Sequence, residues 1–392
     1  MKILQNVPYF PPYKGGQERY INNLSKYLVK MGHEVHIITS NYPKSEKNEI
    51  KDGIIIERHD LLLRPLRNPI IPKLFFSKHM MDEFDIIHIH NEHSFSSMLT
   101  ANFRKQIHTP VVLTCHGQLI FGNNMQDSLE NIYSKTVGKK IFSAVDSIVV
   151  NSEMDTEYIL SINPEVSGKV NILHNAVDPG FFNHISKTIS EDAIQNKIKV
   201  KIKGSKKVIL FVGQLIRRKG IEWLIKSIDI MVNKDNRTNI ICILVGNGPD
   251  YDYFKYLTNK FNLSKFIYFA GTISNKELVY LYQKSDIFVL PSLSEVCPTV
   301  VLEAMYFGLP VITTDIPGVK DHFKDATLLV PPKDEKILAE GLTRLLENYE
   351  FAKNLSTESE QLVKGTYTWD KVAKKYERIY FKLLEKKDKK GT

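Results

Sequence analysis

The chain alternates short apolar runs, rich in β-branched residues, with longer amphipathic segments. The first run, 3–7, is followed by a turn and then by apolar residues at helical spacing from Tyr20 to Leu28. Gly32 is placed to cap that helix at its C-terminus. Further apolar runs lie at 35–39, 86–89, 111–114, 147–150 and 170–173. Strands that alternate with helices predict parallel pairing in a doubly wound α/β sheet.

The same alternation restarts after a lysine-rich stretch at 197–207. The new series of apolar runs comprises 208–212, 240–245, 267–269, 287–290, 311–313 and 327–330. The run at 208–212 is apolar throughout, as is typical of a parallel strand buried on both faces. Two such series predict two Rossmann-like domains. We therefore expect an N-terminal domain at 1–180, a basic linker at 181–207, a C-terminal domain at 208–368, a helix at 369–385 and a basic tail at 386–392.

Composition is ordinary for a folded protein of 392 residues, with 43% hydrophobic and 25% charged residues. The net charge of +9 is concentrated in two segments: 181–207 holds seven lysines against two acids, and 381–392 holds five against two. Because the excess lies outside the predicted domains, it argues against nucleic-acid binding. Solvated segments and attraction to anionic lipid headgroups both remain open.

Targeting and redox signals point to a cytoplasmic protein. No leading apolar segment resembles a signal peptide, and no run of about 18 apolar residues predicts a membrane span. The three cysteines, Cys115, Cys242 and Cys297, are isolated and odd in number, which disfavours a metal site or a disulfide framework.

Two motifs in the N-terminal half are candidates for ligand binding. Gly15 and Gly16 precede the first helix, where free N–H groups favour phosphate, although a plain turn is an equal alternative. His116 follows the run at 111–114, at the strand end that lines ligand crevices in parallel sheets. A histidine there could donate a hydrogen bond to a sugar hydroxyl or a phosphate, although a loop histidine paired within the protein is the more usual alternative. His88 and His90 alternate with isoleucines in a predicted strand, so we favour no metal there.

In the C-terminal half, Arg217, Arg218 and Lys219 are consecutive and precede a predicted helix. Three cations beside a helix N-terminus are unfavourable unless an anion is bound. This pattern predicts a diphosphate site with Arg218 and Lys219 as its principal cations. Asp250 and Asp252 form an Asp-x-Asp pair, which we interpret as helix-start carboxylates rather than metal ligands.

The segment 291–310 carries two glutamates separated by seven residues. Glu295 lies in a loop, where it could contact a sugar, and Glu303 lies in the following helix, where it could accept both hydroxyls of a ribose. The amides after Pro298 could face a phosphate. Because a charge inside the apolar run 300–305 is costly unless it is paired, Glu303 favours a bound polyol as its partner.

With these motifs in this order, the chain resembles glycosyltransferase family 4. The Glu-x7-Glu segment carries most of the resemblance. The Gly-Gly-x-Glu loop, the Thr-x-His-Gly strand end, the Asn175–Asp178 turn and the Gly-Asn-Gly-Pro turn at 246–249 occur in the usual family order. The resemblance implies a GT-B architecture, in which two Rossmann-like domains face a cleft and the C-terminal helix returns to the N-terminal domain.

The resemblance also implies roles for residues. Glu303 is expected to bind the donor ribose, Glu295 and His116 the transferred sugar, and Lys219 the leaving diphosphate. The other residues expected at the donor are Gly15, Gly16, Gln214, Arg218, Ile273, Pro298, Thr299 and Val300. Such enzymes retain anomeric configuration and need no metal or other cofactor. Their mechanism is described as front-face displacement, in which the leaving phosphate helps to deprotonate the acceptor.

Two positions depart from the family pattern. Gln214 stands where the family commonly has Arg, which removes one phosphate-binding cation, and Val296 stands where it commonly has Gly. Neither departure removes the pair of glutamates. A non-catalytic nucleotide-sugar-binding protein, or an epimerase or phosphorylase on the same scaffold, is the alternative interpretation.

The function predicted is transfer of a hexose from a UDP-sugar, or next a GDP-sugar, to a saccharide or lipid-linked acceptor in glycan or cell-envelope biosynthesis. The stretch 61–76 mixes apolar and basic residues in the predicted acceptor domain. It fits two interpretations equally: contact with the inner face of the membrane, or a buried segment with a proline-broken loop.

Overall fold

The computed structural model describes residues 1–65, 68–76, 78–117, 132–189, 194–195, 198–199, 202 and 206–391. The chain divides into two compact units. Unit 1 comprises Met1–Asn175 together with Trp369–Thr392, and unit 2 comprises Ala176–Thr368. The C-terminal segment thus belongs with the N-terminal half of the chain.

Unit 1 is built on a sheet with eight strands in the described residues. They are β1 (Lys2–Asn6), β2 (Glu34–Ser40), β3 (Asn48–Lys51), β4 (Ile54–His59), β5 (Ile86–His90), β6 (Val111–Thr114), β7 (Ser147–Val150) and β8 (Val170–Ile172). The order is β3-β4-β2-β1-β5-β6-β7-β8, and only β3 runs antiparallel to its neighbour. Because β1 pairs with β2 on one side and β5 on the other, the sheet has a switch point at the carboxyl ends of β1 and β5. Ligands of doubly wound sheets bind at such points.

Among the described residues of unit 1, five helices lie between successive strands and a sixth is C-terminal. They are α1 (Gly16–Lys30), α2 (Lys78–Met81), α3 (Phe95–Phe103), α4 (Lys139–Ala144), α5 (Glu153–Ile162) and a C-terminal helix (Trp369–Gly391). The predicted cap at Gly32 has a φ of 88°, a conformation that glycine adopts without strain.

The β3–β4 hairpin is an element that the apolar pattern does not predict. Its turn is formed by Asp52 and Gly53, with φ angles of 53° and 79°. Asp-Gly is a preferred pair for a two-residue hairpin turn that needs two positive φ angles, so this dipeptide is the sequence signal for the hairpin.

The C-terminal helix packs against α1 within unit 1. Trp369, Tyr376 and Tyr380 are its buried anchors, each at most 1% exposed. The Tyr376 hydroxyl lies 2.8 Å from the Tyr20 hydroxyl, and the Tyr380 hydroxyl lies 2.8 Å from Nδ1 of His88. The expected return of this helix to the N-terminal domain is confirmed, but the predicted basic tail at 386–392 is wrong for 386–391, because the helix continues to Gly391.

Unit 2 contains a parallel sheet with six strands in the described residues. They are β9 (Lys207–Val212), β10 (Ile240–Val245), β11 (Ile267–Gly271), β12 (Ile287–Leu290), β13 (Val311–Thr314) and β14 (Leu328–Val330). The order β11-β10-β9-β12-β13-β14 places a switch point between β9 and β12. The loops that follow these two strands carry the predicted donor-site residues.

Eight helices of unit 2 lie in the part of the chain that the structure describes. They are α6 (Pro179–Thr188), α7 (Ile221–Asp229), α8 (Tyr251–Lys260), α9 (Asn275–Lys284), α10 (Thr299–Tyr306), α11 (Pro317–Phe323), α12 (Glu335–Glu347) and α13 (Tyr349–Thr366). Buried side chains from the helices and the sheet form one continuous apolar core.

Helix α6 lies where the sequence predicts the start of a basic linker at 181–207. The Asp178 side chain caps it by accepting a hydrogen bond from the N–H of Phe181 at 3.1 Å. Phe182 and Ile185 are buried in the core of unit 2. Apolar residues at helical spacing therefore make this segment part of the unit, and most of the lysine-rich remainder lies outside the described residues.

Candidate active site

The loops after β9 and β10 pack backbone against backbone at the carboxyl edge of the unit 2 sheet. Gly246 has a φ of 129°, and a Cβ atom there would overlap the carbonyl of Gly213. Only glycine combines a positive φ with the absence of a Cβ atom, so only glycine fits here without strain. The turn that follows Gly246 also contacts the loop after β9, since Asp250 accepts a hydrogen bond from the N–H of Arg217 at 2.9 Å.

The three consecutive cations each have a partner within the protein. The Arg217 guanidinium lies over the Tyr253 ring at 4.1 Å. Arg218 donates from Nη1 to the carbonyl of Ser294 at 2.8 Å, and Lys219 pairs with Glu295. The inference that these charges require a bound anion is therefore weakened, because internal contacts already offset them.

Lys219 and Glu295 form the central contact of the candidate donor site. Lys219 donates from Nζ to Oε1 of Glu295 at 2.5 Å, and the Ser292 hydroxyl donates to the same oxygen at 2.7 Å. The Lys219 side chain is 15% exposed and that of Glu295 is 9% exposed. The fold thus joins residues 76 positions apart into one nearly buried ion pair at the ends of β9 and β12.

The loop that carries Glu295 is fixed from its other side by helix α11. A Cβ atom on Gly318 would overlap the carbonyl of Glu295 and the backbone of Val296. The residue at 296 therefore meets a neighbouring backbone closely. This is the position where the sequence departs from the glycine common in the family.

Glu303 lies on α10 and is only 2% exposed. The Tyr282 hydroxyl donates to its Oε2 atom at 2.9 Å, and the Tyr282 ring stacks on Phe307. The sequence predicts a bound polyol as the partner of this charge. A polyol is not required for that, because the Tyr282 hydroxyl is already a partner, and a polyol would be an additional one.

The remaining predicted donor residues lie at the same edge of unit 2. Pro298 directly precedes α10, and no side chain caps this helix start. Thr299 and Val300 are partly exposed there, Gln214 is exposed, and Ile273 is partly buried after the end of β11. The structure thus leaves the N-terminus of α10 without a side-chain cap, while the contacts that join Lys219 to Glu295 include neither Gln214 nor Ile273.

In unit 1, Gly15 precedes α1 in an extended conformation and Gly16 begins the helix. The Glu18 carboxyl group folds back to this helix start, where a Cβ atom on Gly15 would overlap it. Burial raises the pKa of Glu18, which is 7% exposed. An acidic side chain beside the two glycines disfavours phosphate binding at this point.

His116 follows β6 and is partly exposed. Its Nε2 atom lies 3.1 Å from Nδ1 of His90, and its ring packs edge-on against Tyr20. Burial lowers the pKa of His116 to about 4, although the nearby Glu92 carboxylate opposes this shift. His116 is therefore neutral at physiological pH and offers no positive charge to a phosphate.

A buried Glu92–His93 pair lies in the loop after β5. Oε1 of Glu92 is 3.0 Å from Nε2 of His93, and Glu92 is 2% exposed. Burial by itself raises the pKa of Glu92, but the charge and the hydrogen bond of His93 bring that pKa below its usual value. Sequence reasoning did not select Glu92, although an acidic residue at the end of a buried strand was the available signal.

Within the described ranges, no three histidine, cysteine or acidic residues are grouped so that they could hold a metal ion. No helix in the described part of the chain has both the length and the apolar character needed to cross a membrane.

Comparison with known proteins decides the family. A family model described as Glycosyltransferase Family 4 matches residues 14–181, and one described as Glycosyl transferases group 1 matches residues 192–362. The chain belongs to glycosyltransferase family 4. It is a glycosyltransferase of the GT-B type, as the resemblance implied.

Similar proteins span nearly the whole chain. An uncharacterized glycosyltransferase of Methanocaldococcus jannaschii is 27% identical over 401 residues, covering 98% of this chain and 99% of the relative. N-acetyl-alpha-D-glucosaminyl L-malate synthase of Bacillus anthracis is 23% identical and covers 100% of both chains. Alpha-monoglucosyldiacylglycerol synthase of Acholeplasma laidlawii is 26% identical and covers 97% and 96%.

Solved structures show the same fold. Sucrose-phosphate synthase from Thermosynechococcus elongatus matches with a TM-score of 0.75 and 21% identity, covering 98% of this chain and 100% of that one. Anabaena HepE in complex with UDP-glucose matches with a TM-score of 0.72 and 15% identity, covering 98% and 100%.

Proposed function

We propose that this glycosyltransferase transfers a hexose, with retention of configuration, from a nucleotide-diphosphate sugar to a saccharide or a lipid-linked acceptor. A UDP-sugar is the favoured donor and a GDP-sugar the next candidate. The observation that carries the proposal is the nearly buried Lys219–Glu295 pair at the sheet edge of unit 2, together with buried Glu303 on the adjoining helix.

The chemistry of these side chains suits a departing diphosphate. Glu303 would accept hydrogen bonds from the ribose hydroxyls, and the Lys219 ammonium would neutralise charge that develops on the diphosphate. The bond from the anomeric carbon to the phosphate oxygen breaks as a bond to the acceptor oxygen forms on the same face. The acceptor proton passes to the departing phosphate oxygen. These reaction steps need no protein base and no metal or other cofactor.

The names of related proteins support the substrate classes. One relative is a diacylglycerol glucoside synthase and another a glucosaminyl malate synthase. A solved structure of the same fold holds UDP-glucose. The two synthase names pair a sugar with malate and with a diacylglycerol lipid, and the second supports a lipid-linked acceptor.

Isothermal titration calorimetry with UDP, GDP and ADP tests the donor site. We expect one nucleotide to bind wild-type protein, and Glu303→Gln to weaken that binding by about 10- to 100-fold, because hydrogen bonds to a charged group contribute about 1.5–3 kcal/mol. UDP is expected to bind most tightly, and its sugar conjugates are titrated next.

Asp286→Asn is the matched control for this titration. Asp286 accepts from the N–H of Val208 at 2.8 Å at the opposite, amino edge of the same sheet. Its replacement should lower stability without changing nucleotide affinity. Absence of binding by all three nucleotides, in folded wild-type protein, would contradict the proposed donor site and favour the non-catalytic alternative.

We also propose that unit 1 contacts an anionic membrane surface through the turn at 62–64. Leu62 and Leu63 are 67% and 60% exposed, and the adjacent Arg64 guanidinium lies over the Tyr42 ring at 3.8 Å. Apolar side chains beside a cation suit a lipid headgroup region. Elsewhere in the stretch 61–76, Ile71 and Leu74 are buried in the core. Of residues 75 and 76 the structure describes the backbone and not the side chains.

Sedimentation with phosphatidylglycerol vesicles tests this contact. Replacing Leu62 and Leu63 with serine should reduce binding by about 10-fold or more, given the apolar area that the two side chains would bury in lipid. Ile50→Ser is the control, because Ile50 is 76% exposed on strand β3. Equal binding by the double variant and the wild type would exclude this turn as the contact.

A further inference from the structure

A chain of buried hydrogen bonds leads from helix α1 to His116. Ser25 Oγ lies 2.7 Å from the carbonyl of Ile21, and Gln5 Nε2 lies 3.0 Å from Ser25 Oγ. Gln5 Oε1 lies 2.8 Å from Nε2 of His90, and Nδ1 of His90 lies 3.1 Å from Nε2 of His116. Gln5, Ser25 and His90 are all 0% exposed.

The donor and acceptor of every hydrogen bond in this series follow from the first bond, between Ser25 and the Ile21 carbonyl. A carbonyl oxygen can only accept, so Ser25 gives its proton to Ile21. Ser25 Oγ must then accept from the Gln5 amide, which places Oε1 of Gln5 toward His90. Because Oε1 can only accept, the proton of neutral His90 lies on Nε2, and its Nδ1 atom is an acceptor.

His116 must therefore donate from Nε2 to His90. A neutral imidazole carries one N–H, so Nδ1 of His116 has a lone pair. Among the described residues, no hydrogen-bond partner reaches that nitrogen. His116 is partly exposed, as expected of a residue that contacts a ligand.

We propose that Gln5 and His90 are positioning residues that hold His116 in the tautomer protonated on Nε2, so that its Nδ1 atom accepts a hydrogen bond from a hydroxyl of the sugar substrate. The naming of the sugar rests on the proposed function, whereas the tautomer does not. The role assigned from the sequence, donation by His116 to a sugar hydroxyl or a phosphate, is thereby reversed. A phosphate oxygen, which can only accept, is excluded as the partner of Nδ1.

Protonation of His90 on Nδ1 would reverse its hydrogen bond to His116, and burial opposes this protonation by lowering the pKa of His90 well below its usual value. The groups around His90 do not stabilise a positive charge on it. His88 stacks on it at 4.1 Å and has a pKa lowered to about 3 by burial, and His116 is also neutral. The rings of Tyr20 and Tyr376 pack against His116 and His88, and the Glu92 carboxylate partly opposes the lowering of the His116 pKa.

Long-range 15N NMR of histidine-labelled full-length protein tests the tautomer directly. At pH 7 we expect His116, assigned from the signal missing in His116→Ala, to show a protonated Nε2 and an unprotonated Nδ1. A protonated Nδ1, or a mixture of the two tautomers, would overturn the proposal. This result does not depend on whether the protein transfers a sugar.

Gln5→Glu tests the functional consequence once a donor is known. A carboxylate beside Nε2 of His90 stabilises the His90 imidazolium, which then donates from its Nδ1 atom to Nε2 of His116. The proton of neutral His116 is then carried by Nδ1 of His116. We expect kcat/KM to fall by about 10-fold or more at pH 6, the loss of one hydrogen bond to the sugar, and to recover toward the wild-type value at pH 8.5. A loss of equal size at both pH values would contradict a tautomer effect.

Tyr380→Phe is the matched control. It removes a buried hydroxyl from the same core, but its partner is His88, whose described hydrogen bonds run through Thr114 to Tyr376 and not to His90. This variant should lose stability while keeping the wild-type pH profile and the wild-type signals of His116. A pH-dependent loss of kcat/KM like that of Gln5→Glu would assign the effect to a loosened core and overturn the proposal.

Discussion

Replacing Lys219 with methionine is expected to lower kcat/KM for sugar transfer by about 100- to 1000-fold, the range found when a single transition-state charge partner is removed. Methionine keeps much of the aliphatic length of lysine but cannot neutralise a departing diphosphate. The measurement is steady-state kinetics with the donor that the nucleotide titration selects. The fall should be larger in kcat than in the affinity for the free nucleotide, because the charge develops during the reaction.

Stability measurements separate this effect from a loss of folding. Lys219→Met leaves Glu295 without its cation in a site where the carboxylate side chain is 9% exposed. We expect a cost of about 2–3 kcal/mol in urea unfolding, less than for a fully buried pair. The double variant with Glu295→Gln should regain about 1 kcal/mol or more, since no unpaired charge remains, yet stay inactive. Recovery of activity in the double variant would contradict this role, because the unpaired Glu295 charge, and not the missing Lys219 ammonium, would then have caused the loss of activity.

The strands could be predicted because parallel strands covered on both faces must be apolar. The runs at 208–212 and 240–245 match Lys207–Val212 and Ile240–Val245 almost residue for residue. The edge strand Asn48–Lys51 lacks that constraint, since its residues are largely exposed. Its composition therefore resembles a loop, and only the Asp52–Gly53 turn marks the hairpin.

The site could be predicted in part, because some of its features are local. The spacing of Glu295 and Glu303 is a property of one loop and one helix, and the sequence contains both. The partners of these carboxylates are not local: Lys219 and Tyr282 reach them only through the order of strands and helices. The cations at 217–219 were therefore interpreted as needing an anion, when folding supplies partners for them.

The histidines show the same limit. In the sequence, His90 is a polar residue in a buried strand. This pattern indicates only that its side chain needs a hydrogen-bond partner. Its partners, Gln5 and His116, come from β1 and from the loop after β6, and the choice of donor or acceptor depends on a carbonyl of α1. A role that depends on proton direction requires the whole hydrogen-bond chain, so the sequence could indicate His116 but not which way its hydrogen bond runs.

The buried histidines also make unit 1 sensitive to acid. Burial lowers the pKa of His88 to about 3 and that of His90 well below its usual value, and both are 0% exposed. In the unfolded chain each titrates near 6.5. Since the unfolded state then binds more protons, stability falls as the pH drops below about 6.5 and continues to fall toward the folded pKa. Between pH 7 and pH 5, His88 alone is expected to lower the free energy of unfolding by about 2 kcal/mol, and His90 acts in the same direction.

A variant comparison isolates one of these histidines from groups that act in the opposite sense. Burial raises the pKa of Glu18 and Asp155, so these two carboxyl groups favour the folded state as the pH falls. His88→Gln removes only the His88 proton. Urea unfolding at both pH values should show the stability difference between wild type and variant shrinking by about 2 kcal/mol from pH 7 to pH 5. A difference that does not change with pH would mean that His88 takes up its proton in the folded protein as readily as in the unfolded chain, and the neutral core proposed around His90 would lose its support.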